Sequence, residues 1–167
     1  PKEFTPYELE TGFVGDPVIE REVLNEDGQA FRERFNIPKE KRIITMLPGS
    51  RKTEVSKLLP VFLESGRKLL EKDKDFYFVI PTVRTVSKLV KAGVKDCGLP
   101  LIVVETQEDR YNAFQASSAA IAASGTVALE LAICHIPHII AYKVSKLTAW
   151  IVAKIMKIQF VKLTNIM

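Results

Sequence analysis

Ile43-Ile44-Thr45-Met46-Leu47-Pro48-Gly49-Ser50-Arg51-Lys52-Thr53-Glu54 is the stretch on which the fold turns. Its first five residues form a short, largely apolar run that ends at Pro48-Gly49. That pattern predicts a strand buried on both faces. From Thr53 to Lys72, Val55, Leu58, Leu59, Phe62, Leu63, Leu69 and Leu70 recur at helical spacing. A buried strand feeding an amphipathic helix through a glycine-containing turn is the building unit of a parallel α/β sheet.

The unit repeats along the chain. Further strands are predicted at Phe76–Ile80, Leu101–Val104, Ala119–Ala123 and Ile136–Tyr142. Helices are predicted at Val83–Lys95, Asp109–Ala116, Thr126–Cys134 and Leu147–Lys157. A short helix over 28–36 precedes them and stops before Pro38, which disfavours helical backbone in its neighbour. The alternation specifies an α/β fold with a doubly wound parallel sheet and right-handed crossovers. Residues 28–167 make up this domain. Residues 1–27, with Pro1, Pro6, Gly12, Gly15 and Pro17, read as a connecting segment from a preceding domain. Without a starting Met, the chain reads as a fragment of a longer protein.

Composition narrows the class. The 167 residues are 47% apolar and 26% charged, which suits one globular domain. No run approaches the ~20 apolar residues of a membrane-spanning helix, and no signal peptide is visible. Cys97 and Cys134 lie far apart and read as reduced thiols. With only two His they give no metal-ligand spacing, so no metal and no cofactor is expected. The net charge of +4 is uneven: no Asp or Glu follows Glu130, whereas Lys143, Lys146, Lys154, Lys157 and Lys162 do. That asymmetry favours an anionic partner or leaves a solvated basic edge. No nucleic-acid module pattern accompanies it, so nucleic acid is not expected as a partner.

Two predicted strand-to-helix loops carry the chemistry. In the first, Gly49 permits close backbone approach, Ser50 supplies a hydroxyl and Arg51 a fork for phosphate oxygens, next to a helix N-terminus. The same residues also fit a plain capped turn, with Ser50 or Thr53 as N-cap and Arg51 solvated. The spacing is not that of a Walker A loop. In the second, Ser124, Gly125 and Thr126 offer N–H groups and hydroxyls to a diphosphate. Glu130 stands one turn further on in an apolar helix, able to accept from a pair of ribose hydroxyls or to sit on the surface. Both loops follow strand ends and are expected on one sheet edge. No Gly-x-Gly-x-x-Gly fingerprint of NAD enzymes is present.

Leu-Pro-Gly-Ser-Arg at 47–51, Glu54-Val55, the run from Ala123 to Glu130, Tyr142-Lys143 and Val161-Lys162-Leu163-Thr164-Asn165 together resemble the C-terminal domain of the lipid-A-disaccharide synthase family. Phe13-Val14-Gly15-x-Pro17 resembles that family's entry into the domain, with Asp16 where His is frequent. The resemblance runs from about Thr11 to Met167. It implies a GT-B architecture of two Rossmann-like domains, of which this is the donor-binding one. It also implies an inverting, metal-independent hexosyltransferase that condenses UDP-2,3-diacylglucosamine with 2,3-diacylglucosamine 1-phosphate to give lipid A disaccharide and UDP.

By the same resemblance Arg51, with Gly49 and Ser50, contacts the UDP phosphates. Ser124, Gly125 and Thr126 line the diphosphate, Glu130 holds the ribose and Asn165 lies near the donor. The lipid acceptor and the general base are expected from an N-terminal half outside this sequence, leaving the chain inactive alone. The expected location is the cytoplasm, peripheral on the inner membrane if the basic apolar stretch 143–158 faces anionic lipid; the alternative is that this stretch packs into the core or onto segments outside this sequence. The alternatives are another GT-B enzyme, such as a UDP-GlcNAc epimerase or a peptidoglycan glycosyltransferase, and a non-catalytic nucleotide-binding module.

Overall fold

A computed structural model describes residues 27–123 and 126–141, with the side chain of Thr126 undescribed. The elements run α1 (Gly28–Arg34), β1 (Arg42–Leu47), α2 (Lys52–Lys72), β2 (Phe76–Pro81), α3 (Ser87–Val94), β3 (Leu101–Val104), α4 (Gln107–Ala116), β4 (Ser117–Ala122), α5 (Thr126–Ile133) and β5 (His138–Ile140). The five strands form one parallel sheet in the order β3-β2-β1-β4-β5. The chain winds outward from β1 to β3, then crosses back to place β4 on the other side of β1. The predicted doubly wound sheet is therefore the observed one. The predicted connecting segment 1–27 lies almost wholly outside the described residues, as do Tyr142 and the predicted helix 147–157.

Alternation along β1 divides the core. Met46 and Ile44 pack with Val55, Leu59, Phe62, Phe78, Ile80 and Val90, beneath α2 and α3. Ile43 faces the opposite side with Phe31, Val79 and Ala113, and Leu47 faces it with Phe114, Ala122 and Leu131. Both faces of the central strand are apolar because helices cover both. The polar exception is Thr45, fully buried. Its Oγ1 lies 2.7 Å from Ser117 Oγ, and Ser117 donates to the Ala113 carbonyl at 2.6 Å. Ser117 has one hydroxyl proton, so Thr45 is the donor in the first bond.

Several boundaries differ from those predicted, each for a local reason. α1 ends at Arg34, and Asn36 then takes a left-handed φ of 52°. α3 begins at Ser87 rather than Val83, because Val83–Val86 make a separate turn in which the Val83 carbonyl accepts from both Val86 and Ser87. α4 begins at Gln107, two residues early, because Thr106 caps it by accepting from Asp109 N–H at 3.0 Å. β4 begins at Ser117, where the Thr45 bond holds it. β5 begins only at His138, because α5 unwinds through His135 at φ 56°, and the N–H groups of His135 and Ile136 donate back to the Ala132 and Leu131 carbonyls. Pro60 lies within α2 on an exposed position, and the carbonyl it deprives of a partner belongs to the exposed Ser56.

Candidate functional site

The order of the strands fixes where a site can form. β1 and β4 are neighbours whose outgoing helices leave to opposite faces, which opens a crevice at their carboxyl ends. Leu47 pairs with Ala122, and Ala123 N–H donates to the Leu47 carbonyl at 2.8 Å. The strand ends that lead into the two loops thus lie side by side on one sheet edge. A cleft of about 320 Å³ lies there, lined by Leu47, Gly49, Ser50, Arg51 and Glu54 from the first loop. Pro81, Thr82 and Val83 after β2, Arg110 of α4, and Ala123, Val127 and Glu130 complete it. That volume is at the lower end for small-ligand sites.

The first loop is shaped by Gly49 at φ 113°. A Cβ there would lie 2.8 Å from Glu54 Cβ, which cannot swing aside as the carboxylate can, so the position disfavours other residues by both strain and space. Neither Ser50 nor Thr53 is the N-cap of α2: that position is Arg51. Glu54, one turn in, reaches back instead. Its Oε2 accepts from the N–H groups of Ser50 at 3.3 Å and Arg51 at 3.4 Å, and its Oε1 accepts from Arg51 Nη1 at 2.7 Å. Burial works to raise the Glu54 pKa, but the bonds from the Arg51 side chain and the two N–H groups together outweigh it, holding the carboxyl below its ordinary value. Arg51 itself is 77% exposed, its guanidinium at the cleft mouth.

Glu130 is not a surface residue; it is 6% exposed. Its partner is Arg110, whose Nη2 donates to Glu130 Oε2, and the Tyr111 hydroxyl lies 3.5 Å from Oε1. Arg110 sits 5.5 Å from the Phe114 ring centroid and 5.8 Å from that of Tyr111. Its Nε is buried without a hydrogen-bond partner among the described residues. Thr82 Oγ1, which also belongs to the cleft lining, is in the same condition. Below Glu130, Cys134 packs into the core. Burial and the Glu130 charge push its thiol up to about 11, so it stays protonated.

Of the residues singled out in the sequence, Gly49, Ser50, Arg51 and Glu130 come together around this cleft. Ser124, Gly125 and Asn165 lie outside the described residues, and for Thr126 only the backbone is placed, at the first position of α5. Sequence reasoning missed Arg110 and Thr82, and gave Glu54 no role of its own. The signal for Arg110 was present: Thr106-x-x-Asp109 marks a helix start, and Arg110, Ala113 and Phe114 then share i, i+3, i+4 spacing on its inner face.

The family model described as Lipid-A-disaccharide synthetase matches residues 1–167. A lipid-A-disaccharide synthase of Paramagnetospirillum magneticum is 43% identical over the whole chain, and one of Rhodospirillum centenum is 40% identical over the whole chain. The chain spans 43% and 42% of those two proteins, respectively. Among solved structures, a UDP-GlcNAc 2-epimerase from Neisseria meningitidis, bound to UDP-GlcNAc, superposes with a TM-score of 0.54 at 18% identity. That match covers 83% of this chain and 38% of the epimerase, and shows likeness of fold.

Proposed function

Because the chain belongs to the lipid-A-disaccharide synthase family, we propose that it is the donor-binding part of a GT-B hexosyltransferase and holds the UDP moiety of UDP-2,3-diacylglucosamine. The observation that carries this reading is the cleft at the carboxyl ends of β1 and β4, which is lined by both Arg51 and the Arg110–Glu130 pair, at a sheet edge suited to nucleotides. Glu130 is positioned to accept from ribose hydroxyls, and Arg51 with the loop N–H groups to meet the diphosphate. Ser124, Gly125, Thr126 and Asn165 belong to the same proposed site by family resemblance.

In the proposed reaction the 6-hydroxyl of 2,3-diacylglucosamine 1-phosphate attacks the anomeric carbon of the donor. A new C–O bond forms with inversion, the bond to the β-phosphate oxygen breaks, and the hydroxyl proton passes to a base in the acceptor half. Negative charge builds on the departing UDP. Donors such as Arg51, once engaged by the bound diphosphate, stabilise that charge without further reorganisation during the step, which allows it to proceed without a metal. This chain alone is expected to bind donor without transferring sugar.

Calorimetric titration tests the site. UDP should bind, ADP and GDP should bind far more weakly, and Arg51→Ala should lose at least about tenfold in UDP affinity, as befits a charge-assisted bond. Equal affinity for the three nucleotides, or an unaffected Arg51→Ala variant, would sink the reading. The acylated substrates also place the protein at the cytoplasmic face of a membrane in this proposal. No helix among the described residues is long and apolar enough to cross one. The basic stretch 143–158, outside the described residues, is the proposed contact, and sedimentation with anionic liposomes at low salt should pull the chain down; a chain left in the supernatant would remove the membrane contact from the proposal.

A further inference from the structure

The cleft supplies its own counter-charges. Among the described residues, the charged side chains lining it are Arg51, Arg110, Glu54 and Glu130, two of each sign. Arg110 is bonded to Glu130, and Arg51 to Glu54. Glu54 does more than pair: its carboxylate accepts from the N–H groups of Ser50 and Arg51 as well as from the Arg51 guanidinium. Those three donors are the ones this loop would offer to a phosphate. In the same cleft lining, Thr82 is 9% exposed and its hydroxyl has no partner among the described residues, a second mark of a polar ligand in the same place.

Resting on the donor reading above, we propose that Glu54 is an internal stand-in for a donor phosphate, holding the first loop in shape and yielding Ser50 N–H, Arg51 N–H and the Arg51 guanidinium when a diphosphate enters. Two anions cannot occupy one set of donors at low cost, so the carboxylate competes with the ligand and lowers its affinity. It has somewhere to go: its side chain is 32% exposed, at the first turn of α2. The device keeps the glycine turn and Arg51 ordered between ligands, and it makes Glu54 an affinity-setting residue rather than a catalytic one.

Glu54→Gln separates the two possible roles. Glutamine keeps the size and can still accept from the helix-start N–H groups, while the charge is gone. Titrated with inorganic pyrophosphate, and separately with UDP, the variant should bind about five- to tenfold more tightly than the wild-type chain. Unchanged or weaker pyrophosphate binding in a variant with a native circular dichroism spectrum overturns the proposal, since Glu54 would then serve to position Arg51. Absence of pyrophosphate binding by either protein overturns it too. Glu54→Ala, expected to shift affinity in the same direction, replaces the glutamine variant if that one does not fold. The donor reading is judged separately by UDP selectivity over ADP and GDP. Tighter pyrophosphate binding without that selectivity upholds Glu54 and rejects the donor; selectivity without tightening does the reverse.

Discussion

Glu130→Ala should destabilise the chain by about 2–4 kcal/mol and abolish measurable UDP binding. Arg110 is the reason for the first effect. Its side chain is 27% exposed, its Nε already lacks a partner among the described residues, and its charge is met by Glu130. Removing the carboxylate leaves a largely desolvated guanidinium against the Phe114 and Tyr111 rings. The cost falls below that of a fully buried pair because the exposed part of Arg110 keeps some hydration. Replacing both members with leucine should recover most of the stability, since two apolar groups leave no unpaired charge, but should not recover UDP binding. Urea denaturation reads the first quantity and calorimetry the second. A Glu130→Ala variant within about 0.5 kcal/mol of wild type would show that Arg110 finds water instead, and that the pair is a surface contact.

Phe62→Ala should cost about 3–5 kcal/mol and lower the melting temperature on the order of 10 °C. Phe62 is fully buried at the centre of the cluster formed by Val55, Leu59, Phe78 and Val90. No neighbouring element can collapse into the space freely, because α2 is held between the β2 strand of the sheet and α3. UDP affinity of the folded fraction should change little, since Phe62 does not line the cleft. A loss below about 1.5 kcal/mol in thermal or urea unfolding would mean that α2 and α3 close the gap by sliding together.

The contrast between these two residues reflects how each was legible. Phe62 belongs to a period of 3.6 residues, and burial follows from that period without knowledge of the partner. The apolar runs of β1, β2 and β3 were likewise readable, because a strand covered on both faces has no polar position to hide it. Boundaries were less so. Val83–Val86 reads as the start of a helix yet forms a turn: three of its four residues are β-branched and favour helix weakly, and the turn leads the chain from β2 past the cleft before α3 begins. Ile136 and Pro137 look like strand residues, but the left-handed exit through His135 occupies them.

What the sequence determined by itself was local and periodic: the alternation of strands and helices, the doubly wound class, and the two loops that bear glycine, serine, arginine and glutamate. The ordered motifs in those loops also pointed to the family. Tertiary structure alone decided who meets whom. The order β3-β2-β1-β4-β5 brings Arg51 and Glu130, 79 positions apart, to one edge of the sheet. It also brings Arg110 of α4 into contact with Glu130 and places Thr82 in the lining of the same cleft. Such pairings depend on strand order and crossover direction, which fix distances between segments that no spacing along the chain encodes.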